Sequence, residues 1–333
     1  MQRRTRSETM VDSQVFRGDR SPKSKFLEQG RWKPLKRWAA TFVGGCAIAL
    51  SLLGEAALAD PFRAAQPHAV GEQAEAAFNA MFKEGDYKQA RELLRTAEDD
   101  EPLTHALRAA IAYLGEDWDI LERSSVRTRE SAEALVDADP LRGHLYIAVG
   151  HFLEGAYIAH DQGLLEATPT LLRKLQQVFS NLNDAEKINP DDPELNLVRG
   201  FMDLMLAVNL PFSDPAQAIA RLQEKAGPDY MANRGIAIGY RDLNQFDDAI
   251  RAVDSALADT PDNPDLLYLK AQILVRQGQD QASLDYFQQA LQYRDRLVKQ
   301  VGNRLAWEEC RTRNRIGGVP DAESRTQCSA LIN

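Results

Sequence analysis

Small and apolar residues recur at a fixed spacing of 34 residues in the second half of the chain. The matched positions are Ala237, Tyr240, Asn244, Ala249, Val253 and Ala256, followed by Ala271, Leu274, Gly278, Ser283, Phe287 and Ala290. Within each unit, apolar residues follow one another at helical spacing, which favours helices over strands. The period therefore predicts a repeated pair of helices.

Each recurring residue type has a physical role in such a pair. The first helix must end at a residue that tolerates the left-handed backbone conformation, and these residues are Gly85, Asn244 and Gly278. A small residue five positions later lets the second helix approach closely, as at Ala90, Ala249 and Ser283. A larger apolar residue one turn further fills the space between neighbours, as at Leu94, Val253 and Phe287.

The segments Gly85-Asp86-Tyr87-Lys88-Gln89-Ala90 and Asn244-Gln245-Phe246-Asp247-Asp248-Ala249 resemble the tetratricopeptide repeat family. In that family a helix, a tight turn, a second helix and a closing proline form one unit. Candidate closing prolines are Pro102, Pro140, Pro190, Pro228 and Pro261. The resemblance implies an all-α fold, a tetratricopeptide-like α-solenoid. We expect a right-handed superhelix of about six helical pairs, preceded by a signal segment.

The amino-terminal part has the layout of an export signal. Basic residues precede the uncharged stretch 38–53, and Ala57 and Ala59 fit a peptidase cleavage site before Asp60. An uncleaved anchor and lipidation at Cys46 remain alternatives. We expect residues 1–59 to be a disordered lead plus signal peptide, 60–70 a linker, 71–297 the repeat domain, and 298–333 a helix end with a pinned tail.

The charge distribution bears on the choice of partner. Residues 1–59 hold 11 of the 40 Lys and Arg residues and 5 of the 49 Asp and Glu residues, so the remainder has a formal charge near −15. Such a surface repels phosphate backbones, and we expect no nucleic-acid partner. Membrane contact is expected only through the signal segment, if it stays uncleaved. The protein is predicted to act in the periplasm or thylakoid lumen, because its layout resembles exported cyanobacterial repeat proteins without an assigned activity.

The sequence contains no nucleophile motif, phosphate-cradling loop or zinc-type spacing, so we predict a non-catalytic protein without a cofactor. The leading hypothesis is a protein–protein interaction scaffold or assembly factor. The candidate inner face that would hold a protein or peptide comprises Met231, Arg234, Ile238, Arg241, Asp265, Tyr268, Gln272 and Val275. The alternative is a small-ligand receptor accompanying a transporter, since the apolar, irregular segment 141–212 could enclose a pocket.

Two smaller features complete the candidate sites. Cys310 and Cys328 are the only cysteines beyond the signal segment, and in an oxidising compartment they are expected to form a disulfide. Segment 141–162 is apolar nearly all round and is expected to be a central, buried helix. His151 and Glu154 on this helix could share a metal ion, but hydrogen bonding is the preferred interpretation and no metal site is predicted.

Overall fold

The computed structural model describes residues 60–63, 65–209 and 215–332, apart from the Asn209 side chain. The predicted signal segment, including Ala57 and Ala59, lies outside this part of the chain. The described residues form fourteen α-helices and no strand. This confirms the all-α prediction. Among the described helices, none has the length and hydrophobicity that a membrane crossing requires.

Twelve of the helices form six successive pairs, as the sequence predicts. Pairs one to three consist of α1 (Glu72–Phe78) with α2 (Tyr87–Leu93), α3 (Pro102–Leu114) with α4 (Trp118–Leu135), and α5 (Pro140–Gln162) with α6 (Leu164–Ile188). Pairs four to six consist of α7 (Pro193–Asn209) with α8 (Pro215–Lys225), α9 (Asp229–Asp242) with α10 (Phe246–Asp259), and α11 (Pro264–Arg276) with α12 (Asp280–Gln292). Two further helices, α13 (Lys299–Ile316) and α14 (Asp321–Cys328), complete the described chain.

The predicted turn residues have the expected backbone conformation. The φ angles of Gly85, Asn244 and Gly278 are 65°, 60° and 80°. In the second pair Glu116 takes the same conformation with a φ of 56°, although its side chain gave no signal for such a turn. The small residues Ala90, Ala249 and Ser283 are fully buried, as expected for positions at which the two helices pack together.

Most first helices of a pair begin at a polar residue followed by proline. Glu101, Asp139 and Asn263 cap α3, α5 and α11 by accepting hydrogen bonds from backbone N–H groups, and Pro follows each of them. Pro102 and Pro140 therefore begin helices, as expected. Pro190 and Pro261 lie in turns instead, and the prolines that begin the next helices are Pro193 and Pro264.

Helix α5 begins the irregular segment 141–212, and its buried residues lie between Leu141 and Glu154. Small residues allow α4 to approach it closely, since a Cβ atom added to Gly150 would lie 2.9 Å from the backbone N of Arg129. The last seven residues of α5, from Ala156 onward, are half-buried or exposed. The prediction of a buried helix therefore holds up to Glu154 and not beyond it.

The first pair packs against the sixth pair as well as against the second. The side-chain amide of Asn263 donates hydrogen bonds to the carbonyl oxygens of Phe82 at 2.9 Å and Lys83 at 3.3 Å. Tyr87 donates a hydrogen bond from its hydroxyl to Asp265. The first and the sixth helical pairs are thus in direct contact, through residues about 180 positions apart in sequence.

Candidate functional site

The first helices of pairs one to five line a cavity of about 610 Å³. Its walls are almost entirely apolar and include Phe82, Leu107, Val149, Phe201 and Ile238. Several of these side chains are only half-buried although they pack against the core. The volume lies within the range of about 300–1,000 Å³ that small-molecule sites occupy.

One wall of the cavity comes from the segment that was expected to be a linker. Phe62 is buried and its ring lies 4.7 Å from that of Phe78, which in turn lies 5.0 Å from Phe82. Residues 60–63 therefore contribute side chains to the helical body. Phe62, Phe78 and Phe82 together form an aromatic wall of the cavity.

A buried cluster of charged residues holds this segment in place. Arg63 Nε donates a hydrogen bond to Asp192 at 2.7 Å, and its Nη2 donates one to Glu194 at 2.9 Å. Glu194, at the cavity wall, also accepts a hydrogen bond from the Tyr146 hydroxyl at 2.5 Å. The nearly inaccessible Arg142 donates to Glu101 at 2.6 Å and 3.1 Å.

The electrostatics of this cluster favour charged arginines. Burial alone would lower the pKa of Arg142, but the charge of Glu194, the Tyr146 oxygen and the hydrogen-bonded Glu101 raise it well above its ordinary value. Each buried carboxylate is therefore paired with a charged arginine in a place that water does not reach. The cluster fixes the starts of α3, α5 and α7 relative to residues 60–63.

The predicted inner-face residues lie together in the structure, but at two different cavities. Met231, Arg234 and Ile238 line the large cavity. A second, smaller cavity of about 190 Å³ is lined by Arg234, Ile238, Arg241, Asp265, Tyr268 and Gln272. Val275 is half-buried and packs against the core. Their contact with a partner stays a prediction.

The chain's own helices cover the part of this face that belongs to the sixth pair. Leu114 and Val301 line the smaller cavity, together with Tyr87, which binds Asp265. Gln272 accepts a hydrogen bond from Arg241 at 3.0 Å and donates to Glu308 at 3.1 Å. The sequence pattern did not indicate this cover, because it arises from contacts between distant units.

Arg234 is the cation that the two cavities share. It is half-buried, and among the described residues it has neither a hydrogen bond nor an ion pair within 4 Å. Its charge acts on Asp265: burial raises the pKa of that carboxyl, and Arg234 and the Tyr87 hydrogen bond oppose the rise only in part. Sequence analysis placed Arg234 on the inner face but gave no sign that it lacks a bonded partner.

His151 and Glu154 belong to a polar cluster between α4, α5 and α6. Glu154 accepts a hydrogen bond from Arg129 at 2.9 Å and binds Lys174. Burial alone would raise the pKa of Glu154, but hydrogen bonds from His151, Lys174 and Arg129 lower it to about 2. No group of three or more potential metal ligands occurs within the described part of the chain.

Two further features lie outside the cavities. Cys310 in α13 and Cys328 in α14 are buried and joined as a disulfide, with their Cα atoms 5.9 Å apart. At the start of α6, the leucines 164 and 165 are 70% and 92% exposed, so this tip presents apolar surface to solvent.

Comparisons with known proteins agree with the repeat assignment. A family model described as tetratricopeptide repeat matches residues 234–296, which confirms the resemblance in the fifth and sixth pairs. One similar solved structure is the crystal structure of PilW, described as a widely conserved type IV pilus biogenesis factor. It has 18% sequence identity and a TM-score of 0.42, and the match covers 69% of this chain and 91% of that chain. This likeness is too weak to carry an argument about function. No curated protein matches the chain.

Proposed function

We propose that the protein is a non-catalytic interaction scaffold or assembly factor that acts outside the cytoplasm, in the periplasm or thylakoid lumen. The observation that carries the proposal is the apolar cavity of about 610 Å³ on the inner side of the helical pairs. Buried apolar anchors in such pockets dominate many protein–protein interfaces. The export-signal pattern before Asp60 supports the compartment.

Site-specific crosslinking tests the scaffold proposal. A photoreactive amino acid at Ile238, on the cavity wall, should crosslink a defined protein from the exported fraction. The same amino acid at the exposed position Arg251, on α10, is the matched control. Crosslinks from position 251 but not from 238 would contradict the inner surface as the binding site. A triple substitution of Arg234, Arg241 and Tyr268 that retains every partner would do the same.

A second candidate function is a small-ligand receptor. The observation that favours it is the cavity itself, because its volume of about 610 Å³ lies within the range of small-molecule sites and its walls are almost entirely apolar. Native mass spectrometry of the exported protein distinguishes the two functions. A native mass that exceeds the mass of the denatured protein by that of a small molecule supports the receptor. A native mass equal to that of the protein alone, together with crosslinks from position 238, supports the scaffold.

A further inference from the structure

Three charged residues lie on the wall of the large cavity, and two of them already have bonded partners. Glu194 binds Arg63 and Tyr146. Asp242 binds Arg241 at 2.9 Å and Arg276 at 3.1 Å. The third is Arg234, whose guanidinium has no hydrogen-bonded partner among the described residues. The cavity therefore combines an apolar wall with one unbonded cation.

A ligand of this cavity must match both the apolar wall and the cation. A guanidinium group that is partly removed from water gains most from an oxyanion, which accepts two parallel hydrogen bonds. The adjoining wall of Phe82, Val149 and Phe201 offers dispersion contacts and apolar area, but hardly any hydrogen-bonding groups. A molecule that satisfies both parts has an anionic head and a long hydrocarbon tail.

We propose that the inner cavity binds one anionic amphiphile with a single acyl chain, whose head pairs with Arg234 and whose tail lies among Phe82, Val149 and Phe201. This inference rests on the second function above, in which the cavity is a small-ligand site. It adds the ligand class and assigns Arg234 as the residue that selects the head.

The size of the cavity favours this ligand over a partner's helix. A volume of about 610 Å³ suits a single hydrocarbon chain rather than a helix with its side chains. The remaining arginine of the inner face, Arg241, is bound to Asp242 and Gln272. Arg234 is thus the guanidinium available to a head at the junction of the two cavities.

The test uses a fluorescent long-chain fatty acid, with the corresponding alcohol and phosphate monoester as separate arms. Wild-type protein should bind the acid saturably with one molecule per chain. The alcohol should bind about ten- to a hundredfold more weakly, because it lacks the charge-assisted hydrogen bonds. Each methylene removed from the tail should weaken binding about fourfold. Comparison of the carboxylate with the phosphate monoester identifies the preferred head.

Variants separate the head from the tail. Arg234→Met should lose the preference for the acid while its affinity for the alcohol stays unchanged, and Arg234→Lys should keep part of the preference. Arg251→Met, an exposed arginine on α10, is the matched control and should leave all affinities unchanged. Ala106→Phe, which places a ring in the cavity, should weaken acid and alcohol alike. Circular dichroism verifies that each variant is folded.

The outcomes distinguish this inference from the functions on which it depends. Equal binding of acid and alcohol by wild type, or an unchanged preference in Arg234→Met, would overturn the role of Arg234 and leave an apolar ligand site. If no amphiphile binds to wild type while position 238 crosslinks a protein, the inference is overturned and the scaffold stands. If Ala106→Phe binds the acid like wild type, the tail lies elsewhere and the cavity assignment is overturned.

Discussion

Pairs five and six share their two-helix design with pairs three and four, but the two regions use their inner faces differently. The four helices of pairs five and six contain 13 or 14 residues each, and own-chain helices cover their inner face beside Tyr268. Helices α5, α6 and α7 contain 23, 25 and 17 residues. Side chains of α5 and α7 line the large cavity. The comparison indicates that the sixth pair has its inner face covered by other helices of the chain, whereas α9 of the fifth pair lines the large cavity together with the longer helices α5 and α7.

The two regions also differ in the groups that position their helices. Pairs five and six are held by small residues and caps, such as Ala249 and Asn263. The middle depends in addition on Arg63 and Arg142, whose charges are buried against carboxylates. Buried ion pairs contribute little net stability, but removal of one partner leaves an uncompensated buried charge and is strongly destabilising. We therefore expect the cavity to depend on a polar cluster and the regular pairs on packing.

Loss of Arg142 should have the largest effect on this comparison. Arg142→Met leaves Glu101 without a guanidinium partner in the interior and leaves Glu194 with Arg63 alone, and we expect a loss of about 3–5 kcal/mol in the free energy of unfolding. Urea unfolding followed by circular dichroism measures it. Arg251→Met, which removes an exposed pair with Asp248, should change stability by less than about 1 kcal/mol. Equal effects of the two substitutions would refute the importance of the buried cluster.

Two glycines of α5 provide a matched pair for the helix packing in the middle. Gly150→Ala places a methyl group 2.7 Å from Arg129 Cβ and near the α4 backbone, so we expect destabilisation by about 1–3 kcal/mol. Gly155→Ala meets nothing closer than Leu171 at 3.7 Å and should stabilise the helix by up to about 1 kcal/mol. Thermal unfolding of both variants checks the opposite signs. A gain in stability from Gly150→Ala would contradict the close packing of α4 and α5.

Substitutions can separate the stability that comes from the contact of Asn263 with the first pair from the stability that comes from helix capping. Asn263→Ala removes a helix cap and the two hydrogen bonds to Phe82 and Lys83, and should cost about 2 kcal/mol. Asp117→Ala removes only the exposed cap of α4 and should cost about 1 kcal/mol. Asn263→Ser, which keeps a capping oxygen but cannot span to the carbonyls, should lie between them. Identical losses at positions 263 and 117 would show that the contact with the first pair adds nothing.

The smallest expected effect is a pH dependence in the middle region. Because the pKa of Glu154 is lowered from 4.5 to about 2, its contribution to stability is complete above pH 4.5 and is lost as the pH falls toward 2. Solvent still reaches this cluster, so we expect about 1 kcal/mol. The stability difference between wild type and Glu154→Gln should therefore shrink across this interval. Glu133→Gln, at a more exposed partner of Arg129, is the control, and a constant difference for Glu154→Gln would argue against the assignment.

The sequence predicted those parts of the fold that depend on neighbours within a unit. The 34-residue spacing located the turns at Asn244 and Gly278, and the shared local motif located the turn at Gly85, because a left-handed backbone restricts the residue type there. The turn at Glu116 was not predicted, because Glu116 adopts the left-handed conformation although glycine and asparagine are the usual residues there. The longer helices of the middle could not be delimited, since their insertions interrupt the period.

The candidate site was predicted only in part, for a different physical reason. The periodic pattern identifies which face of α9 turns inward, so Arg234 and Ile238 were found. The periodic pattern carries no information about contacts between residues far apart in sequence, such as the hydrogen bond of Arg63 with Asp192. The cavity depends on those contacts. The sequence therefore provided no indication that Phe62 packs against Phe78 in the wall of the cavity.

The hydrogen bonds of Asn263 to Phe82 and Lys83 have a consequence for folding. In an open array of repeats each unit contacts only its neighbours, so the terminal units can fray independently. Here the first unit cannot gain its full set of contacts until the sixth has formed, which joins the two ends of the array into one cooperative transition. Hydrogen exchange should therefore report similar protection in α1 and α11, and folding should be slow because this contact spans a long stretch of chain.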